Sequence, residues 1–89
     1  MKITLDLPDY DPNKGLQYKW EAGYLINVIV DEDGVTLQCN KAGLRSLANQ
    51  LISLADDAVP ETSHIHLDGD SLEDGSTSLL ITRELEHRP

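Results

Sequence analysis

One stretch of the chain, residues 40–58, has the periodicity of an amphipathic helix and constrains how everything else can pack. Its apolar residues recur at spacings of three and four, which places their side chains on one helix face. The predicted buried face consists of Leu44, Leu47, Ala48, Leu51, Leu54, Ala55 and Ala58. Asn40 is the predicted N-cap, because its side-chain oxygen can accept hydrogen bonds from the first turn. Pro60 cannot continue a helix, so the helix is expected to end just before it.

Six shorter segments are predicted as strands. Five of them alternate apolar and polar side chains, as half-buried strands do, whereas the third is apolar on both faces and is predicted to be the central strand. The six segments are residues 3–7, 16–21, 24–30, 35–39, 62–68 and 78–84. The sequence Asp-Glu-Asp-Gly at 31–34 predicts a tight turn between the third and fourth strands. The predicted fold is α+β: an antiparallel sheet of about six strands in the order ββββαββ, with one amphipathic helix packed on one face.

The length and apolar content of the chain indicate a small aliphatic core. Its 89 residues suit a single domain, 1–89, while only 39% of them are hydrophobic and none is Phe. A domain of this size gains stability by pairing with a copy of itself or with a partner. A homodimer is therefore one arrangement that the sequence allows.

The charge of the chain restricts the kind of partner that it can bind. Sixteen acidic against seven basic side chains give a formal net charge of −9. Nucleic acids and anionic membranes need positive counter-charge, so neither is expected as a direct ligand. A basic protein partner fits this charge, although a simple requirement for solubility explains it equally well.

Cysteine usage and the N-terminal residues bear on the cellular compartment. Cys39 is the single cysteine, so it cannot form an internal disulfide, and its place in the apolar alternation of the fourth predicted strand indicates a small core residue. The N-terminal residues have no apolar run of the kind found in signal peptides, and no stretch is long enough for a transmembrane helix. We expect a cytoplasmic protein.

His64, His66 and Asp68 form the candidate cluster of metal-ligand residue types in the sequence. Residues two apart on a strand point to the same side, so this face could hold zinc or iron. A further good ligand would have to be His87 or a loop acid, and we predict no metal and no cofactor in the isolated protein. The chain also lacks a Gly-x-Ser-x-Gly nucleophile motif and a phosphate-binding glycine loop, so we do not expect an enzyme.

Acidic side chains collect in the predicted turns and could form a negative docking surface for a basic protein. Hydrated loops also collect charge without any function. Two turns are the candidate binding residues, and they comprise Asp31, Glu32, Asp33, Asp68, Asp70, Glu73 and Asp74. A third acidic group lies at Asp56, Asp57 and Glu61. If the acidic turns are not used, Tyr10, Tyr18 and Trp20 are the next candidate anchors.

The residues from Asn40 to Glu84 resemble a family of bacterial immunity proteins. The resemblance lies in the Gly43–Ala48 helix segment with Leu51, Leu54 and Ala55, the His-Ile-His-Leu-Asp segment at 64–68, Gly75-Ser76 and the Leu-Leu-Ile segment at 79–81. This family has the number thirty-two in the immunity series, and its members accompany polymorphic or contact-dependent toxins. Such families are defined largely by gene neighbourhood. The resemblance implies a non-enzymatic cytoplasmic protein that binds one cognate toxin domain and blocks it, but it implies no particular binding residues.

These observations favour an immunity protein that neutralises a toxin through an acidic surface. A nuclease is one candidate for that toxin. A nuclease has a basic substrate groove that an acidic inhibitor can occupy. Two alternatives stay open: a small metal- or ligand-binding protein that uses His64, His66 and Asp68, and a structural interaction subunit. The sequence also predicts that Leu47 and Leu51 are both buried between helix and sheet.

Overall fold

The computed structural model of the protein describes residues 1–4, 7, 10–15 and 19–84. This part of the chain contains one helix and two antiparallel sheets of two strands each. The elements follow one another as β1 (Ile26–Asp31), β2 (Gly34–Cys39), α1 (Lys41–Leu54), β3 (His64–Leu67) and β4 (Leu79–Thr82). β1 pairs with β2, and β3 pairs with β4. The predicted α+β class is confirmed.

The prediction of about six strands in one sheet is wrong, because the described residues form four strands in two sheets. In the first predicted strand, Ile3 is exposed and belongs to no strand, and Leu5 lies outside the described residues. In the second, residues 16–18 also lie outside them, and residues 19–21 form no strand.

Residues 19–21 form hydrogen bonds with side chains of the helix. The hydroxyl of Ser46 accepts a hydrogen bond of 2.9 Å from the backbone N–H of Glu21. The amide of Gln50 donates one of 3.1 Å to the backbone carbonyl of Lys19. Both helix side chains are fully buried, and a buried polar group needs such a partner. The helix therefore turns two polar residues towards the interior.

α1 is rotated about its axis relative to the predicted orientation, so the residues that it buries differ from the predicted ones. The buried residues of the helix are Gly43, Ser46, Leu47, Gln50 and Leu54. Leu47 and Leu54 were predicted correctly, whereas Leu44 and Leu51 are exposed. The apolar stripe that the sequence predicts is thus only partly covered, because Ser46 and Gln50 occupy part of the contact surface.

Asn40 caps the helix, as predicted, and also joins it to the residues before β1. Its side-chain oxygen accepts hydrogen bonds of 2.8 Å from the N–H of Gly43 and 2.9 Å from that of Leu25. Its amide nitrogen donates to the carbonyl of Gly23 at 2.9 Å, and its backbone N–H donates to the carbonyl of Leu25 at 3.3 Å. One side chain thus both starts the helix and fixes its position against the base of the hairpin.

Gly43 allows the first turn of the helix to approach the chain before β1. A Cβ atom at this position would overlap the backbone carbonyl oxygen of Leu25 and would lie 3.2 Å from the Cβ of Cys39. Backbone atoms cannot move aside as the end of a flexible side chain can. Gly43 is therefore a position where the helix and the chain before β1 pack too closely to admit a side chain.

The helix ends at Leu54, five residues earlier than its expected limit near Pro60. After it, the side chain of Asp56 accepts a hydrogen bond of 2.9 Å from the N–H of Ala58 and forms a local turn that competes with the helix. The guanidinium of Arg83, which follows β4, donates to the carbonyls of Asp56 and Val59 at 2.9 and 3.1 Å. The same guanidinium nitrogen donates to the carbonyl of Leu54 at 3.5 Å, which is one of the carbonyl groups that a helix end leaves without an intrahelical partner.

The core lies between the helix and the two sheets. Its buried apolar side chains are Ile26, Val28, Leu47, Leu54, Val59, Ile65, Leu67 and Leu72. In β3 the predicted alternation is confirmed, since Ile65 and Leu67 are buried while His64 and His66 are exposed. Cys39 is half-buried against this core, and its partial desolvation raises the pKa of its thiol.

Residues 73–77 run along the edge of β1 that faces away from β2. The N–H of Glu73 donates to the carbonyl of Ile26 at 2.9 Å, and that of Thr77 donates to the carbonyl of Val28 at 3.0 Å. The hydroxyl of Ser76 accepts from the N–H of Val28 at 3.1 Å. This irregular segment occupies the place of a third strand, so β1 is flanked on both sides.

Because α1 is rotated in this way, Leu47→Ala and Leu51→Ala should lower the free energy of unfolding by different amounts. Leu47 is 5% exposed and Leu51 is 47% exposed. We expect Leu47→Ala to lower the free energy of unfolding by about 2–5 kcal/mol, because it leaves a cavity in the core. Leu51→Ala should cost less than about 1 kcal/mol, since its side chain already contacts water. Chemical denaturation of both variants measures the difference, and equal losses would contradict the helix rotation described above.

Gly43→Ala should destabilise the protein, although helix propensity alone predicts that it stabilises. In an exposed helix interior this change stabilises by about 1 kcal/mol, but here the new methyl group meets the carbonyl of Leu25. We therefore expect a net loss of stability in thermal unfolding. Gly69→Ala is the control, because a Cβ there meets nothing within 4 Å. A Gly43→Ala variant more stable than the parent would disprove the close contact.

Candidate functional site

The first acidic turn forms the tip of the β1–β2 hairpin. Asp31 and Gly34 are paired, and Glu32 and Asp33 lie between them. The side chain of Asp31 accepts a hydrogen bond of 2.9 Å from the N–H of Asp33, and Gly34 takes a φ of 132°, which favours glycine. The backbone of the tip is thus held locally, while the carboxylates of Glu32 and Asp33 extend into solvent.

The second acidic turn follows β3. The backbone carbonyl of Asp68 accepts from the N–H groups of Ser71 and Leu72, and its side chain accepts from the N–H of Asp70 at 3.2 Å. Leu72 is buried and anchors this turn to the core. Glu73 and Asp74 come directly after it and are exposed.

The structure brings both acidic turns to the β1–β2 hairpin, one at its tip and one beside its base, a relation that the sequence left open. Glu73 bonds to Ile26 at the beginning of β1, and Asp31 lies at the end of the same strand. Five residues separate these two positions, which corresponds to about 17 Å at about 3.3 Å per residue. One cluster therefore lies beside the base of β1 and the other at its tip.

The seven candidate carboxylates have no partner cation among the described residues. All of them are exposed, and none forms an ion pair with another residue in the described part of the chain. Glu21 shows the contrast: the guanidinium of Arg45 bonds to it, with 2.8 Å from Nε to Oε2. That hydrogen bond holds the pKa of the Glu21 carboxyl below its usual value. The two acidic turns are thus a source of uncompensated negative potential.

Beside the acidic tip lies an apolar surface that sequence reasoning missed. Val28 pairs with Leu37, and Val30 pairs with Val35, so these four side chains share the hairpin face that turns towards the core. Val28 is buried, but Val30, Val35 and Leu37 are 56%, 66% and 44% exposed. The alternation of β2 is visible in the sequence, yet only the tertiary structure shows that the core ends before the hairpin does.

The aromatic side chains offered as alternative anchors are in part committed to the core. Trp20 stacks on Tyr24 with ring centroids 4.7 Å apart, and both rings pack against the core. Tyr10 is half-buried, and Tyr18 lies outside the described residues.

The two histidines of β3 lie side by side on an exposed face. Their ring centroids are 4.7 Å apart in an edge-to-face arrangement, and Nδ1 of His64 lies 3.4 Å from the carbonyl of Thr62. Across residues 1–4, 7, 10–15 and 19–84, no three His, Cys, Asp or Glu side chains come close enough to hold a metal ion. His87, which a metal site on this face would need as a further ligand, lies outside these ranges.

None of the helical segments in the described ranges has the length and apolar character needed to cross a membrane. The β1–β2 hairpin has an acidic tip, two exposed valines and an acidic segment along its edge, and it is the candidate interaction surface.

Comparison with known proteins gives one family match. Residues 34–84, more than half of the chain, match the family model of Immunity protein 32. The matched region extends from β2 through α1, β3 and β4, and it includes the second acidic turn but not Glu32 and Asp33. No curated protein and no solved structure gives a significant match.

Proposed function

Because this chain belongs to the Immunity protein 32 family, we propose that it binds one cognate toxin protein in the cytoplasm and neutralises it without catalysis. The proposed toxin surface is basic. The proposed binding residues are Asp31, Glu32, Asp33, Asp68, Asp70, Glu73 and Asp74. A nuclease is the toxin class that suits this charge best, since its substrate groove is itself basic.

The observation that carries the proposal is the uncompensated charge on one hairpin. Exposed carboxylates without partner cations project a negative potential that steers a basic protein to this surface. The chain carries a net charge of −9, which acts in the same direction at longer range. Complementary charge also accelerates the encounter, and fast capture suits a protein that must block a toxin.

The dimensions of the hairpin suit a single interface. A typical interface covers about 800 Å² on each partner, and the length of about 17 Å from Ile26, which Glu73 contacts, to Asp31 at the tip lies within such a patch. The exposed Val30 and Val35 lie next to the acidic tip. They supply the apolar contact that interfaces have at their centre, with charged residues at the rim.

Charge reversal in matched pairs tests this proposal. Glu32→Lys with Asp33→Lys alters the tip, and Glu73→Lys with Asp74→Lys alters the second cluster. None of these four side chains forms a hydrogen bond with another described residue, so the fold should persist. The toxin to use is the one encoded in the neighbouring gene. We expect association at low salt to slow by about tenfold or more, and the salt dependence to weaken.

The control pair is Asp57→Lys with Glu61→Lys, which changes the net charge by the same amount. These residues follow the C-terminal end of α1, a helix about 21 Å long whose other end abuts the hairpin base. The control should bind nearly as fast as the parent and should protect cells that express the toxin. If all three double variants bind and protect equally, the acidic turns are not the docking surface. If the parent neither binds nor protects, the immunity function itself is wrong.

A further inference from the structure

β2 is an open edge strand. Within residues 1–4, 7, 10–15 and 19–84 it pairs with β1 alone, and five of its six residues are exposed. The opposite edge of the hairpin is closed, because residues 73–77 bond to β1 there. Among the described residues, the β1 side of the hairpin is therefore closed, and the β2 side has main-chain groups without a neighbouring strand.

The register shows which main-chain groups point outwards from β2. In an antiparallel pair, positions that exchange hydrogen bonds alternate with positions that direct their N–H and C=O away from each other. Val28 directs its N–H and C=O towards Ser76 and Thr77, away from β2. Its cross-strand partner Leu37 must then direct its own groups towards the open edge, and Val35 does the same.

The open edge lacks the features that usually prevent strand addition. Natural edge strands carry charged residues, prolines or bulges, whereas Gly34–Cys39 contains no charge and no proline and pairs with β1 without a bulge. The exposed side chains of Val35 and Leu37 lie along the same strand. A strand added here would gain main-chain hydrogen bonds and would set alternate side chains against this apolar surface.

We propose that the open edge of β2 accepts an extended, basic segment of the toxin as an additional strand. This inference rests on the proposed immunity function and specifies how the toxin is held. The acidic tip at residues 31–33 lies at the end of the same edge, so basic residues of the added segment would lie beside carboxylates. A second copy of the chain is a less suitable occupant, because each copy carries a net charge of −9.

Leu37→Pro tests the role of the outward main-chain N–H. Proline removes that donor and leaves the hydrogen bonds to β1 in place, as proline on an outer edge does. Leu37→Thr is the matched control, because it keeps the N–H and also shortens the apolar side chain. With the toxin from the neighbouring gene, we expect Leu37→Pro to bind about tenfold more weakly than Leu37→Thr, the change produced by losing a main-chain hydrogen bond.

Amide hydrogen exchange on the unaltered protein gives a readout that does not depend on how the proline variant folds. The amides of Val35 and Leu37 should exchange rapidly in the free protein and slow by at least an order of magnitude in the toxin complex. The amides of Thr36 and Gln38, which face β1, should be protected in both states. This alternating pattern is specific to strand addition.

Three results would overturn the inference. If the toxin binds but leaves the amides of Val35 and Leu37 unprotected, β2 is not the docking edge, although the immunity function stands. If those amides are protected in the free protein and sedimentation shows a dimer, a second copy occupies the edge. If the parent chain does not bind the toxin at all, the immunity proposal and this inference fail together.

Discussion

The contact between Asn40, Gly43 and Leu25 is the constraint on which the rest of the structure depends. Asn40 accepts from the N–H groups of Leu25 and Gly43 and also donates to the carbonyl of Gly23. Gly43 permits this approach because a Cβ would overlap the carbonyl of Leu25. The first turn of α1 is thereby fixed to the base of the hairpin. Its rotation then decides which helix side chains reach the core and leaves Leu44 and Leu51 in solvent.

Local signals predicted the elements better than their arrangement. The cap at Asn40, the turn before Gly34 and the inward position of Ile65 and Leu67 follow from short-range chemistry that the sequence displays directly. The rotation of α1 did not follow, because Ser46 and Gln50 are buried to satisfy backbone groups of residues 19–21. No periodicity rule anticipates that a polar side chain takes the place of a strand partner.

The split of the predicted sheet has a similar cause. Residues 73–77 contain no strand pattern, yet they bond to β1 through two backbone N–H groups and the hydroxyl of Ser76. They occupy the edge that a regular strand would have taken. The acidic residues were identifiable as a cluster in the sequence, but their common position on one hairpin depends on this tertiary contact. The open edge of β2 and its exposed valines could be recognised only after the neighbours of each strand were known.

The most direct measurement of the immunity function is a titration of the purified chain into an activity assay of the toxin encoded beside it. We expect toxin activity to fall in proportion to the added chain and to disappear at one equivalent, because one chain is proposed to bind and block one toxin molecule. Full toxin activity in the presence of excess folded chain would contradict it.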